Sequence, residues 1–529
     1  MQILRNFNKH KKIFFSIVLF FFSISFNQYY GYLGILPIDS FLVFNSGYDF
    51  LNGKLPFVDY WTIKEPLVDA IQAIFFKIFG ISWFSYVFHA SIFNFIITIA
   101  TFYTLIKLKL SIEYSFLYSF LVAILAYPTA GTPFSDHHVT IFSIIALYIF
   151  ILAVKTKKNT YWFFLPFFLG FAFLVKQAPS SYFLIVITIL SALYFFNNFN
   201  LNKFFLGFLG SFVFLLLFLI FLKIGNIPLR SFYEQYILFP QSLGKSRLDW
   251  VFPLEFNRII LRFKLIHLAL FPLIIIIVKE SLKNKNFLKS NESIIILSLI
   301  LCSFALIFHQ LMTINAKFIF FIIPIISGFS HIYSERYFKN KKYFFYFLLL
   351  ISIGSTIYYH QSYIDNRRFM DLENVNLKNA VDAKILDKKF NKLKWITNLY
   401  PENPKKEIEQ LNEAINIIKN DKKNKVLVTD YQFISVLLSI YDNSPVRFWY
   451  EYHGYPTKEN EYHSIYKKFF IEKLIKNRIQ IIYEIKPLYG DKNILKDILD
   501  KSCLIKKTHT KILESHAIVE CDDLKKIFN

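Results

Sequence analysis

The residues of this chain best suited to chemistry are a few carboxylates, two histidines and a few cations set among long apolar runs. Asp39 lies shortly after the first such run, where a carboxylate can serve as general base or hold a metal. It also precedes an apolar-periodic stretch after Ile38, a position that suits a helix cap, and the two roles are compatible. Asp59 follows twenty residues later, as a second carboxylate of a site or as a residue that orders its loop. Asp136, His137 and His138 form a compact potential metal cluster. Oxygen ligands there favour Mg or Mn and imidazole shifts the preference toward Zn, while the other use of a histidine pair is to hydrogen-bond the loop. Lys64, Lys176 and Arg247 are candidates for an anionic group such as a phosphate, Lys as a point charge and Arg as a fork. The alternative for such cations is contact with lipid headgroups. Lys176 is singled out because a lysine between apolar runs is costly without an anionic partner. Asp430, at the end of an expected strand, is too isolated to define a site.

These side chains must be positioned by membrane-spanning helices. Of 529 residues, 55% are hydrophobic, 20% aromatic and only 18% charged, and mean hydropathy is +0.39. Ordinary soluble domains carry about 25% charge, so this composition excludes a soluble globular protein and a disordered chain. Crossing the hydrocarbon takes about 20 apolar residues. Runs at 13–26, 84–106, 114–127, 139–154, 160–175, 179–196, 204–222, 265–279, 292–308, 318–333 and 343–359 predict about eleven transmembrane helices. The first lacks a small-residue cleavage pattern after it and reads as an uncleaved helix with a cytoplasmic N-terminus.

Charge orients the spans. Residues 1–359 hold 30 Lys and Arg against 13 Asp and Glu, and 18 of those cations fall in the short segments placed on the cytoplasmic side. Positive charge is therefore an anchoring signal, and nucleic acid is not expected as a partner. Nine of the 13 acids fall on the opposite face, five of them within residues 39–69. An odd number of spans puts the C-terminal region outside the cytoplasm. There, strand-like and helical runs alternate (strands at 426–429, 446–450 and 479–485, two short ones within 503–520; helices at 431–441, 465–477 and 493–501), and residues 365–424 look helical and charged, broken at Pro401 and Pro404. The expected organisation is a transmembrane part, 1–359, with a first outer loop at 27–83, and an extracytoplasmic α/β domain, 360–529. The three cysteines make no metal-ligand spacing or disulfide framework, although Cys503 and Cys521 can pair in an oxidising compartment.

The first outer loop carries Asp39, a stretch from Leu51 through Asn52, Gly53, Lys54, Pro56 and Phe57 to Asp59, a Lys64-Glu65-Pro66-Leu67 turn, and an amphipathic segment ending in Phe79-Gly80. Later come Pro133 to His138, Gly170 to Gln177, and His309-Gln310 leading to Ala316-Lys317. In this order and spacing the chain resembles, over roughly residues 1–335, the GT-C class of polytopic glycosyltransferases that use polyprenyl-phosphate sugars, which includes protein O-mannosyltransferases and aminoarabinose transferases. The aminoarabinose transferases place Lys directly before Pro, whereas here Glu65 intervenes. The resemblance implies a mainly α membrane enzyme of a bacterial inner membrane. It would move a sugar, with inversion, from a polyprenyl-phosphate donor to a hydroxyl of a lipid, glycan or protein acceptor on the outer side. Asp39, Asp136 and Asp59 are then the catalytic candidates, Lys64, Lys176 and Arg247 meet the donor phosphate, and His137 and His138 are candidate ligands for a divalent metal, whose need the class leaves open. The competing expectations are a lipid-linked glycan flippase or transporter, which calls for polar residues mid-span, and another envelope glycan polymerase or ligase.

Overall fold

The computed structural model describes the chain apart from residues 1, 253, 254, 316, 440–442, 452, 489–493, 522, 523 and 525–529, and apart from the side chains of residues 2–7, 246 and 250. Ala316 of the segment after His309, and the ends of the expected helices at 431–441 and 493–501, lie outside the described residues. The chain forms two compact units, one of residues 1–31, 87–219 and 247–369, the other of residues 32–86, 220–246 and 370–529. The protein is a helical polytopic membrane protein with an α/β part toward its C-terminus.

Each of the eleven apolar runs coincides with a helix. Among the described residues nine helices are long and apolar enough to cross a membrane, from Asn8–Gly31 to Lys341–Met370. The helices Thr160–Val175 and Ile322–Tyr337 have 16 residues each, about 24 Å at the α-helical rise and short of the hydrocarbon thickness. The first stops at Lys176, whose backbone is extended. The second starts four residues later than the expected run, after turns at Phe318 to Phe321.

In the first unit the helix Ser135–Lys155 is almost wholly enclosed, whereas Leu201–Ile224 keeps Phe204, Phe208 and Phe212 exposed, as a lipid-facing helix does. Polar side chains tie helices where apolar surfaces alone give no preference: Asn94 Nδ2 donates to the carbonyls of Ser23 and Ala123, and Asn27 Nδ2 to Ser91 Oγ. Gly131 adopts a left-handed φ of 78° and sits so close to Gly31 that a Cβ on it would lie 2.6 Å from the Gly31 Cα. Only glycine fits there. The buried Arg367 donates to the carbonyls of Pro128 and Ala130, which fixes the turn ahead of Ser135.

The second unit holds a four-stranded sheet in the order Lys425–Thr429, Ile481–Ile485, Leu513–Ile518, Leu504–Thr508. The first pair is parallel, with Val426 opposite Ile482, and the other two pairs are antiparallel. A parallel pair needs a crossover, and the helix His463–Lys476 lies within it, burying Tyr466, Phe470 and Leu474 against Val426, Val428 and Ile482. Cys503 and Cys521 form a disulfide. Two expectations are corrected here. Val446 to Tyr450 is not a strand: it makes one isolated bridge, Val446 to Trp61. The stretch 365–403 is mostly turns and short 3₁₀ segments, and an α-helix begins only at Pro404, because Asn376, Asp382 and Asp387 each turn a side-chain oxygen onto the amide two residues on.

Candidate active site

Two buried polar clusters stand out, one in each unit. In the first unit, Phe134 has an extended backbone and the helix Ser135–Lys155 starts directly after it, placing Asp136 in the first turn, where a carboxylate is favoured. Thr160–Val175 ends at Lys176, and Asn291–Met312 carries His309 in its last turn. All three side chains therefore sit at the same ends of helices that alternate in direction. Lys176 Nζ donates to both Asp136 oxygens, at 3.0 and 2.9 Å, and His309 Nε2 lies 2.9 Å from Oδ1. Asp136 and His309 are buried and Lys176 is nearly so. Arg247, half-buried in the helix Phe239–Val251, is close enough for its charge to act on His309. The cluster holds one carboxylate against the two permanent cations Lys176 and Arg247.

The neighbouring histidines serve packing and hydrogen bonding. His138 places Nδ1 against the Tyr127 hydroxyl and Nε2 2.9 Å from His89 Nε2. His137 stacks on Tyr127, with ring centroids 4.8 Å apart.

In the second unit the backbone of Trp61 pairs with the segment around Val446: its amide donates to Pro445 and its carbonyl accepts from Arg447. This sets Arg447 beside the helix Pro66–Phe79. The guanidinium grips Asp69 with two bonds, Nη2 to Oδ1 at 2.6 Å and Nε to Oδ2 at 3.0 Å, and Nη2 also meets Glu65 Oε2 at 2.8 Å. All three side chains are buried. Burial opposes the Arg447 charge, but Asp69 and Glu65 outweigh it and raise the guanidinium further above its ordinary value. Glu65 has a left-handed φ of 72°, a conformation that costs a non-glycine residue about 1 kcal/mol or more; Arg447 and Lys64 hold it there. Lys64 Nζ lies 3.1 Å from Glu65 Oε1 and over the Phe448 ring.

Asp39, also in this unit, is half-buried in the four-residue helix Pro37–Ser40; it does not cap the helix that follows, Leu42–Leu51, whose N-cap position is Phe41. Asp59 accepts the Leu55 amide at 3.0 Å and pairs with Lys473 at 3.5 Å and Lys476 at 3.8 Å, so its carboxylate orders the 55–59 loop. His309 and Arg447 were not among the sequence candidates as site residues. The signal for Arg447 was a lone cation inside an aromatic run, and for His309 a histidine at the end of an apolar one. Among the described residues the one group of three metal-type donors is Glu484, Glu514 and His516 on the sheet, where Lys486 and Lys506 already occupy Glu514.

Residues 64–223, under a third of the chain, match the family model of dolichyl-phosphate-mannose-protein mannosyltransferases. No curated protein sequence matches the chain. The family match and the succession of apolar helices fit a polytopic membrane glycosyltransferase, and the match supports in general one that draws its sugar from a polyprenyl phosphate.

Proposed function

We propose that this membrane glycosyltransferase transfers a sugar from a polyprenyl-phosphate donor to a hydroxyl acceptor on the extracytoplasmic side of a bacterial inner membrane, with inversion at the anomeric carbon. The observation that carries the reading is the buried Asp136, Lys176 and His309 cluster. It lies inside a membrane-spanning unit, and Asp136 and Lys176 fall within the matched residues. A desolvated cluster with two permanent cations and one carboxylate favours an anion, and the donor's phosphate is the anion this reaction requires.

In this reading the acceptor hydroxyl attacks the anomeric carbon, the bond to the phosphate oxygen breaks, and the polyprenyl phosphate departs with the bonding pair. Lys176 and Arg247 lower the cost of the charge that develops on the leaving oxygen. Asp39 takes the acceptor's proton, an assignment that rests on its place after the first span. Asp136 acts by holding Lys176 in position. Asp59 orders the first loop, and Lys64 supports the strained Glu65. No step is routed through a metal ion: both Asp136 oxygens meet Lys176 or His309 and both His138 nitrogens have partners, which leaves His137 alone of the three candidate donors, and one imidazole does not make a divalent-ion site. The extracytoplasmic assignment is supported by the cation-rich connecting loops on the opposite face and by the Cys503–Cys521 disulfide, since such bonds persist in oxidising compartments. The C-terminal α/β part would orient the acceptor.

The test is turnover of a radiolabelled polyprenyl-phosphate hexose by the purified chain in liposomes. The reading expects release of polyprenyl phosphate by the wild type and a loss of roughly 100-fold in Lys176→Met, the scale of removing one preorganised charge. Equal turnover by a folded Lys176→Met protein would remove the role given to the cluster.

A further inference from the structure

The four-stranded sheet of the second unit carries two acids that the transfer reaction does not use. Glu484 and Glu514 stand directly opposite each other on neighbouring antiparallel strands, and His516 lies two residues further along the second strand, on the same face. One donor atom from each of the three lies within 4.8 Å of the other two, and His516 Nε2 is 3.3 Å from Glu484 Oε2. Like charges directly opposite on adjacent strands are destabilising, so a pair placed this way calls for a cation.

Two lysines meet that need only in part. Lys486 and Lys506 approach Glu514 at the same oxygen, Oε2, at 2.7 and 2.9 Å. The Glu484 side chain is only 9% exposed, yet its Oε1 has no hydrogen-bond partner among the described residues, and Lys486 Nζ stands 3.9 Å away. The lysines themselves are 36% and 55% exposed, and ion pairs made by such side chains contribute little. Both can turn out into water, whereas the two glutamates and the histidine are fixed to paired strands.

We propose that Glu484, Glu514 and His516 form a divalent-cation site that prefers zinc, in which the ion displaces the two lysines and ties the two strands together. Two carboxylate oxygens with one imidazole nitrogen are a ligand set that zinc accepts, whereas magnesium demands oxygen ligands. Zinc holds such donors at about 2.0–2.2 Å, which sets tetrahedral ligand atoms roughly 3.3 Å apart. His516 and Glu484 already have that spacing, and Glu514 closes the remainder by a side-chain rotation. His516 binds through Nε2 as the neutral imidazole with its proton on Nδ1, and water fills the fourth position. The ion acts on strand pairing and takes no part in sugar transfer, so the site stands or falls separately from the glycosyltransferase reading.

Binding is measured on the full chain without an affinity tag, in phosphatidylcholine nanodiscs, after removal of metal with EDTA and dialysis. Zinc chloride is titrated in competition with a chromophoric chelator, with magnesium chloride as the control. The expected result is one saturable zinc per chain, and a rise in melting temperature that magnesium does not produce. Glu484→Gln and His516→Gln should each weaken zinc binding by at least roughly tenfold, the cost of losing even an outer partner of a metal ligand. Lys486→Met with Lys506→Met should tighten it by about threefold or more, because the competing cations are gone. Melts without metal show whether each variant is folded, and His516→Gln tests the site if Glu484→Gln does not fold. Absence of zinc uptake by the wild type, equal affinity in a folded Glu484→Gln or His516→Gln protein, or no tightening in the folded lysine variant would each overturn the proposal.

Discussion

Lys176 Nζ reaches both carboxylate oxygens of Asp136, at 3.0 and 2.9 Å, from the break between the helices Thr160–Val175 and Gln177–Asn197. An ion pair removed from water stays favourable only while both partners are present, and losing one leaves a buried charge that costs about 3–5 kcal/mol. Asp136→Asn and Lys176→Met should each lower thermal stability on that scale. The double variant should recover a good part of it while remaining inactive. Melting curves of the four proteins in one detergent measure the coupling, and strictly additive losses would show that the pair does not act as a unit.

Arg447 stands in a similar relation to Asp69 and Glu65. Arg447→Met leaves two carboxylates buried without their cation, so a loss of about 3–5 kcal/mol is expected, and Arg447→Lys should recover only part because an ammonium cannot reproduce the two-bond grip on Asp69. Chemical denaturation followed by tryptophan fluorescence reads this, since Trp61 and Trp449 lie in the core of the same unit.

Little of the second cluster was visible in the sequence, and the reason is distance along the chain. Arg447 and Asp69 are 378 residues apart, and no local pattern reports such a pairing. Val446 to Tyr450 has the aromatic, β-branched composition of a strand, yet only one residue of it finds a bridge, so composition and pairing part company there. The apolar runs were legible because length and hydropathy alone decide a spanning helix; their ends were less so, since Lys176 and Pro324 sit where helices break or begin. Lys176 was found because a charge amid apolar residues is costly enough to require a partner, and Asp136 because it stands next to two histidines in a compact cluster of possible metal ligands. His309, the third member, was read as part of a family-like segment and not as that partner.

On the sheet, burial works against the Glu514 charge, but hydrogen bonds from Lys486 and Lys506 outweigh it and hold the carboxyl below its ordinary value. A lowered carboxyl adds stability above the unfolded-chain value of about 4.3 and loses it as pH falls through the lower folded value. The gap in melting temperature between wild type and Glu514→Gln should therefore be present at pH 7 and close toward pH 3. A gap independent of pH would mean that the ion pairs contribute nothing.

The Cys503–Cys521 bond closes a loop with a sequence separation of 18, and on chain-entropy grounds a loop of that size contributes about 3 kcal/mol. Cys503→Ser with Cys521→Ser should lower the melting temperature by several degrees. In protein isolated without reductant from bacterial membranes, mass spectrometry with a thiol-alkylating reagent should label Cys503 and Cys521 only after reduction. Labelling before reduction would contradict the extracytoplasmic placement.

The central claim is the transfer itself, with Asp39 as the base. The most direct measurement is the single-turnover rate at which Asp39→Asn, reconstituted beside the wild type with a radiolabelled polyprenyl-phosphate hexose and membrane extract as acceptor, incorporates label. Removal of a general base predicts a fall of about 10²–10⁴-fold with donor binding and melting temperature little changed; full incorporation by the folded Asp39→Asn protein would contradict the account.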